Sequence, residues 1–182
     1  MVVRDRHHAL RPAIIPTVTS DADAGPTASS RGRDLTEPIP KDEFDRIFSK
    51  VPRLTVEVLI TSEGRGVLLA LRDVDPCRGM WNLPGGTVRF GERLVDAVRR
   101  VAAGELGVAV RVDSLAGYIE YPSHYENGLD SPVGLVFRSR PLDEAHPRGQ
   151  WFTVLPENMH EEQREFLARH APVSLGHRPG QT

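Results

Sequence analysis

The chain has 182 residues, and 23 Lys and Arg against 25 Asp and Glu give a net charge of −2. This length allows one domain with a tail, and the mixed charges form no basic face of the kind that nucleic-acid-binding proteins carry. Cys77 is the only cysteine, which excludes an internal disulfide, and no apolar run approaches membrane-spanning length. We therefore expect a soluble, cytoplasmic protein that does not bind nucleic acid in general and does not bind membranes.

The N-terminal segment, residues 1–40, is predicted to be a flexible leader. It is rich in Pro, Ser, Thr, Ala and Asp and shows no sustained helical or strand period. The stretch PKDEFDRIFSKVP then places Phe44, Ile47 and Phe48 on one helical stripe between two prolines. This pattern predicts a short helix that docks on the domain.

The remaining flanking segments predict a mixed sheet. LTVEVLI and GVLLALR are expected to form a hairpin around TSEGRG, and VRVDSLAGYIEY, VGLVFRSR and QWFTV are expected to be further strands. HEEQREFLARHA predicts a closing helix with Phe166 and Leu167 facing inward. The pattern indicates an α+β fold, an α/β/α sandwich with a mixed sheet between helices. We assign residues 41–173 to this domain and residues 174–182 to a loose tail.

The centre of the chain combines a glycine turn with a helix. LPGG ends a strand, and Gly85 and Gly86 let the backbone approach a ligand closely. A helix is predicted from about Glu92 to Leu106, with Gly107 at its C-cap. Its apolar residues recur at helical spacing and are Leu94, Val98, Val101, Ala102 and Leu106. Positions 97, 101, 104 and 105 share one side by spacing, and Glu105 is the only acid among them.

This segment resembles the Nudix box, G-x5-E-x7-R-E-U-x-E-E-x-G-U, in which U is an aliphatic residue. The matching residues are Gly86, Glu92, Arg100, Ala102, Glu105, Gly107 and Val108. Val101 and Gly104 stand where the family has glutamates. In that family the box holds divalent cations against the diphosphate of a nucleoside diphosphate linked to another group. The resemblance therefore implies a Nudix fold and hydrolase activity.

The resemblance also implies a cation site. Its protein ligands would be the Glu105 carboxylate and the Gly85 carbonyl, with Mg²⁺ as the expected ion and Mn²⁺ as the alternative. A single remaining acid supports about one ion, and diphosphate oxygens and water would complete the shell. Glu105 could instead cap the helix end or form a salt bridge there. Glu92, at the predicted start of the helix, favours the helix macrodipole.

A box that lacks these two glutamates, at Val101 and Gly104, is similar to that of the GDP-mannose mannosyl hydrolases. These enzymes release a sugar from a nucleotide sugar with one magnesium ion. The similarity extends from about Ile39 to the helix at Phe166. It implies that Arg72 contacts the diphosphate and that His146, in the loop sequence DEAH, is the general base. The departures from this branch are Thr87 for an arginine, Ala145 for a metal-binding glutamine and Pro132 for a substrate-contacting tyrosine. They leave the identity of the nucleotide sugar open.

Further candidates lie outside the box. His124 and Tyr125, in a loop that also contains Tyr121, could line the substrate pocket and contact a base or sugar. Arg100 is a further catalytic candidate, although the glutamate that this arginine organises in the family is here Val101. Glu57 is either an auxiliary acid in the cleft or an outward-facing strand residue, and the second interpretation is favoured.

The sequence leaves three candidate functions to be tested. The preferred one is hydrolysis of a nucleotide sugar into a sugar and a nucleoside diphosphate. The alternatives are a Nudix-derived module that binds a nucleoside diphosphate without cleaving it, and a hydrolase that cleaves the diphosphate. The expected partner is the nucleotide-sugar substrate, and a homodimer is left open.

Overall fold

The computed structural model describes residues 39–75, 77–142 and 148–175. Across these ranges the α-helices are α1 (Lys41–Phe48), α2 (Leu94–Val101), α3 (Pro122–Glu126) and α4 (Glu161–His170). A π-helical segment, Ala102–Leu106, continues α2. The strands are β1 (Arg53–Leu59), β2 (Thr61–Ser62), β3 (Gly66–Leu71), β4 (Trp81–Asn82), β5 (Gly85–Thr87), β6 (Val110–Glu120), β7 (Pro132–Pro141), β8 (Gln150–Phe152), β9 (Val154–Leu155) and β10 (Ser174–Leu175).

The main sheet is mixed, as the sequence predicts. Its strand order is β5-β1-β7-β6, with β1 parallel to β7 and the two outer pairs antiparallel. A second set of strands, in the order β2-β3-β4, has β8 paired to β3. Parallel neighbours require a long crossover, and here the chain between β1 and β7 includes the central glycine turn and α2. The glycine turn lies beside β1, because β5 pairs with β1 through Gly85 and Gly86.

Helices cover both faces of the main sheet, which confirms the α/β/α sandwich. Side chains alternate along a strand, so Val56 and Val58 pack with the apolar stripe of α2, whereas Leu59 packs with Phe166 and Leu167 of α4. All of these side chains are almost completely buried. Each such burial stabilises the fold by about 1.5–3 kcal/mol, so the two clusters hold β1 firmly between the helices.

The box helix differs from the prediction at both ends. It begins at Leu94 rather than at Glu92, and after Val101 it continues as a π-helix. Gly107 adopts φ 70° at the C-cap, as expected of a glycine that ends a helix. Glu92 lies just before the N-cap residue Arg93, so it stands next to the helix N-terminus and not within the helix. The π-helical segment also places Glu105 in a local geometry that regular α-helical spacing does not describe.

Three other local predictions need correction. The predicted hairpin is confined to β2 and β3, because β1 pairs with β5 and β7 instead. QWFTV contains two short strands, β8 and β9, rather than one. The predicted tail is not loose at its start, since β10 pairs in parallel with β9.

The docking helix is confirmed. Phe44, Ile47 and Phe48 of α1 are the half-buried residues of that helix, and the Phe44 and Phe48 rings lie 4.6 Å apart between centroids. The Arg53 guanidinium lies over the Phe44 ring, 5.6 Å from its centroid. This contact attaches α1 to the start of β1. None of the helices within the described ranges is long and apolar enough to cross a membrane.

Candidate active site

Close backbone approaches explain both glycines of the central turn. A Cβ at Gly85 would overlap the Glu57 carboxylate, and a Cβ at Gly86 would lie 3.0 Å from Cγ2 of Val101. The sequence suggested that these glycines make room for a ligand. The structure shows that they also make room for a carboxylate on one side and for the box helix on the other.

Glu105 lies against this turn, as the box spacing implies. The Gly85 N–H donates a hydrogen bond of 3.3 Å to Oε2 of Glu105. Although part of the residue is exposed, the pKa of Glu105 is raised to about 7, mainly by desolvation of the carboxylate and to a smaller extent by the negative charge of Asp73. The Gly85 hydrogen bond and the positive charge of Arg72 act in the opposite direction. The contact with Gly85 does not support the alternative that Glu105 only caps its own helix.

Glu57 is a buried acid of the cleft, so the favoured outward-facing interpretation is wrong. It is 6% exposed, and its Oε1 accepts hydrogen bonds from the Tyr121 hydroxyl at 3.1 Å and the Thr55 hydroxyl at 3.4 Å. Burial, with a smaller contribution from the charge of Glu105, raises the pKa of Glu57 to about 8, against the lowering effect of the Tyr121 hydrogen bond. The carboxyl group is therefore protonated near neutral pH when no cation is nearby.

A chain of hydrogen bonds fixes the orientation of Glu57. The Leu83 N–H donates to Oε1 of Gln163 at 2.9 Å, and the Gln163 amide donates to the Tyr121 hydroxyl at 2.9 Å. The Tyr121 hydroxyl must then direct its own proton to Oε1 of Glu57. Oε1 is thus an acceptor, which leaves Oε2 as the oxygen that carries the proton on the Gly85 side.

The donors at this turn suit a hard cation. Glu105 and Glu57 supply carboxylate oxygens next to Gly85, and oxygen ligands are the ones that Mg²⁺ and Mn²⁺ prefer. A positive ion would also offset the desolvation that raises both pKa values. The described part of the chain contains no group of three or more His, Cys, Asp or Glu arranged to hold a metal ion. The residues therefore fit an ion that takes most of its ligands from substrate and water.

The Arg100 side chain contacts the loop before α2 and does not line the cleft. Its guanidinium donates to both oxygens of Glu92, at 2.6 Å and 2.8 Å, and to the Thr87 carbonyl at 3.0 Å. These hydrogen bonds hold the pKa of Glu92 below its ordinary value. Arg100 and Glu92 thus connect the box helix to β5. These contacts suit a positioning role for Arg100, and its catalytic role stays a prediction.

Two neighbouring cavities share part of their lining. We call the cavity of about 90 Å³ at Glu57 and the glycine turn the inner chamber, and the cavity of about 690 Å³ that is lined by residues of α1 the outer chamber. Four side chains line both cavities: those of Arg53, Arg72, His124 and His160. We call these four residues the junction.

Two of the three predicted substrate-binding residues line the cleft, and the third does not. Arg72 and His124 line the cleft as predicted, and Nδ1 of His124 lies 3.0 Å from Oδ1 of Asp130. Tyr125 is 56% exposed and lines neither chamber, whereas Tyr121 lines the inner one. The loop that contains these residues includes the short helix α3, which turns Tyr125 away from the cleft.

Two junction residues were missed by sequence reasoning. Arg53 pairs with Asp130 and donates a hydrogen bond of 2.9 Å to the Thr87 hydroxyl. His160 precedes α4 and faces His124, with 5.2 Å between ring centroids. Burial, together with His124 and Arg72, lowers the pKa of His160. Neither residue belongs to a motif, and only the long-range pairing of the strands brings them together.

The residues that differ from the mannosyl hydrolase pattern lie in different parts of the structure. Pro132 lines the inner chamber, and the Thr87 hydroxyl accepts the hydrogen bond from Arg53. Val101 is 4% exposed in the apolar core, and Gly104 has open space around its Cα. His146 and Ala145 lie outside the described residues.

Comparisons with known proteins agree on one family. The family model of the NUDIX domain matches residues 51–170. The chain is 46% identical over 142 residues to the low-salt glycan biosynthesis protein Agl8 of Haloferax volcanii, an alignment covering 72% of this chain and 90% of that protein. It is 34% identical over 86 residues to the ADP-ribose pyrophosphatase of Methanocaldococcus jannaschii, covering 47% of this chain and 49% of that protein. The solved MutT NUDIX hydrolase from Burkholderia pseudomallei superposes with a TM-score of 0.53 at 27% identity, covering 64% of this chain and 96% of that one.

Proposed function

Because the chain belongs to the Nudix domain family, we propose that it is a magnesium-dependent hydrolase that releases the sugar from a nucleotide sugar resembling GDP-mannose. The products are the free sugar and a nucleoside diphosphate. The relative from Haloferax volcanii is named for glycan biosynthesis, and glycan assembly consumes activated sugars. This similarity favours a nucleotide sugar over other nucleoside diphosphate derivatives.

The observation that carries the proposal is the depleted side of the box helix. Val101 is buried against Gly86, and Gly104 carries no side chain, so Glu105 alone brings a box carboxylate to the Gly85 turn. A helix with one acid cannot both bind several cations and supply a base. A base on another element would activate a water molecule in a different position, and the proposal is that this water attacks the anomeric carbon of the sugar instead of phosphorus.

The chain's own residues have distinct roles in this proposal. Glu105 and Gly85 would hold the cation, whose charge would stabilise the departing diphosphate. Arg72 contacts the diphosphate, since an arginine fork matches phosphate oxygens. His146 accepts the proton of the attacking water, as the resemblance implies. Glu57 lies beside Gly85 and, when protonated, donates a hydrogen bond from Oε2 toward the substrate; when ionised, it would offer a ligand oxygen to a bound cation.

A specific observation also favours the diphosphate-cleaving alternative. Glu57 gives the turn a second carboxylate that the box pattern does not contain, and two acids could support a second cation. The relative from Methanocaldococcus jannaschii is named as a pyrophosphatase. Cleavage between the phosphates would yield a nucleoside monophosphate instead of a diphosphate. The products therefore separate the two functions.

The test is a panel of nucleotide sugars, ADP-ribose and related nucleoside diphosphate derivatives incubated with Mg²⁺. The proposal predicts a free sugar and an intact nucleoside diphosphate from at least one nucleotide sugar. A nucleoside monophosphate would support the diphosphate-cleaving function. Binding without turnover across the panel would favour the non-catalytic module.

A further inference from the structure

We propose that Arg148 is a positioning residue of the cation site and that its contacts with the end of the box helix set the affinity of this site. Arg148 lies outside the Nudix box, in the segment that leads into β8. The inference rests on the proposed function only because it assumes a cation at Glu105 and Gly85. It does not depend on which bond of the substrate is cleaved.

Arg148 holds the backbone on both sides of Glu105. Its Nη2 donates a hydrogen bond of 2.7 Å to the Gly104 carbonyl, and its backbone N–H donates one of 2.8 Å to the Leu106 carbonyl. The same Nη2 donates a longer hydrogen bond, of 3.4 Å, to the Ala103 carbonyl. Because these donors belong to one residue, the two carbonyls that flank Glu105 are fixed relative to each other.

These contacts lie at the end of the box helix, where carbonyl groups lack donors within the helix. A guanidinium at this end also interacts favourably with the helix dipole. Gly107 ends the π-helical segment in a left-handed conformation, and a Cβ there would lie 3.1 Å from Nε of Arg148. The guanidinium therefore packs on the C-cap glycine and closes the end of the helix that carries Glu105.

The residues that follow Arg148 are fixed to β3. Gly149 has φ 132°, and a Cβ there would lie 2.5 Å from the Leu69 carbonyl oxygen. The next residue, Gln150, pairs with Leu69 where β8 meets β3. Arg148 consequently joins the end of the box helix to a strand, and this attachment consists entirely of the chain's own residues.

The position of Glu105 matters more here than in a complete box. Val101 and Gly104 bring no carboxylate, so no acid at these positions could replace Glu105 if it moved. Its Oε2 has to stay at the glycine turn, where it accepts the 3.3 Å hydrogen bond from the Gly85 N–H. Removal of a group that orients a metal ligand commonly lowers metal affinity by about 10–100-fold. Loss of Arg148 is therefore expected to weaken cation binding.

Binding of Mn²⁺ alone tests this inference without turnover. The full chain is titrated with Mn²⁺, and the free ion is followed by electron paramagnetic resonance. Arg148→Ala should weaken Mn²⁺ binding by about tenfold, and Arg148→Lys, which keeps the charge and a donor group, should recover part of the affinity. Affinity is the readout because the proposed base His146 lies two residues before Arg148, so a change in rate would not separate the two roles.

Arg140→Ala is the matched control. Arg140 is also exposed and also donates two side-chain hydrogen bonds, of 2.7 Å and 3.1 Å, both to Asp113. It lines neither chamber, so its removal should leave the Mn²⁺ affinity unchanged. Glu105→Gln is the opposite reference, because it removes the charge that would hold the ion and should abolish tight binding. The melting temperature of each variant is measured beside its affinity.

The outcomes separate this inference from the proposed function. If Glu105→Gln loses Mn²⁺ binding while Arg148→Ala binds the ion as tightly as the wild type, the positioning role is wrong and the cation site stands. A lower melting temperature of Arg148→Ala with unchanged affinity would also overturn the inference, because Arg148 would then stabilise only the fold. Equal losses of affinity in Arg148→Ala and Arg140→Ala would contradict a specific role. If the wild type binds no Mn²⁺, both the cation site and the inference are overturned.

Discussion

Arg100 binds Glu92 through two hydrogen bonds, from Nε to Oε1 at 2.6 Å and from Nη2 to Oε2 at 2.8 Å. The same Nη2 donates to the Thr87 carbonyl at 3.0 Å. This pair joins α2 to the loop before it and to β5. The glycine turn and Glu105 therefore keep their relative positions in part because Arg100 and Glu92 connect the elements that carry them.

Removal of this ion pair is expected to destabilise the fold. Arg100→Ala leaves Glu92, whose side chain is only 14% exposed, without its partner, and should lower the free energy of unfolding by about 1–3 kcal/mol. Arg99→Ala is the matched control, because the Arg99–Asp96 pair is more than half exposed and should contribute less than about 1 kcal/mol. Urea denaturation measures both. Equal losses would contradict the positioning role of Arg100.

The buried acid Glu57 predicts a pH-dependent stability. Its pKa is about 8 in the folded protein against an ordinary value of 4.5, so the folded state retains a proton that the unfolded state releases. The contribution of Glu57 to the free energy of unfolding is therefore fully present below pH 4.5 and is lost as the pH rises toward 8. In metal-free buffer the melting temperature should fall across this interval.

Glu57→Gln tests this assignment with a neutral side chain of the same shape. The melting temperature of the variant should fall much less between pH 5 and 8 than that of the wild type. The variant should also be more stable than the wild type at pH 8.5, because no buried charge has to form. Mg²⁺ with a nucleoside diphosphate should reduce the decline in the wild type, since a cation favours the ionised acid. An unchanged pH profile in Glu57→Gln would assign the decline to another group.

The sequence predicts those features that depend on local spacing. The apolar stripe of α2 and the C-cap at Gly107 both follow from residues within one segment. The role of Glu57 does not, because its partner Tyr121 lies 64 residues away in the sequence and no spacing rule connects them. The contact of Arg53 with Asp130 also joins residues far apart in the sequence, because β1 pairs with the distant strand β7 that follows Asp130.

The predicted hairpin shows the same limit. A turn sequence such as TSEGRG specifies how the chain reverses, and β2 and β3 do pair around it. It does not specify which strands become the neighbours of β1, because that depends on which faces are buried by α2 and α4. Local patterns therefore predict the elements better than their partners.

The cation site predicts a large loss of activity in Glu105→Gln. The substitution keeps the size of the side chain but removes the charge that would hold the cation, so turnover should fall at least about a hundredfold. Glu63→Gln, at an exposed position in the turn between β2 and β3, is the control and should be fully active. Titration with a nucleoside diphosphate present should give about one Mg²⁺ per site. Two tightly bound ions would contradict the single-ion account.

The general base implied by the resemblance predicts that His146→Ala lowers the maximal rate by about a hundredfold or more. Nucleoside diphosphate binding should be largely unchanged, because the residue acts on water. His177→Ala, in the predicted tail, is the matched control and should retain full activity. A fully active His146→Ala enzyme would remove this residue from the mechanism.

Hydrolysis in ¹⁸O-labelled water tests the proposed cleavage most directly. A nucleotide sugar that the enzyme accepts is hydrolysed with Mg²⁺, and both products are examined by mass spectrometry. Attack of water on the anomeric carbon, as the depleted side of the box helix predicts, places the label on the sugar and leaves the nucleoside diphosphate unlabelled. Label on phosphate would contradict the account and establish the diphosphate-cleaving reaction instead.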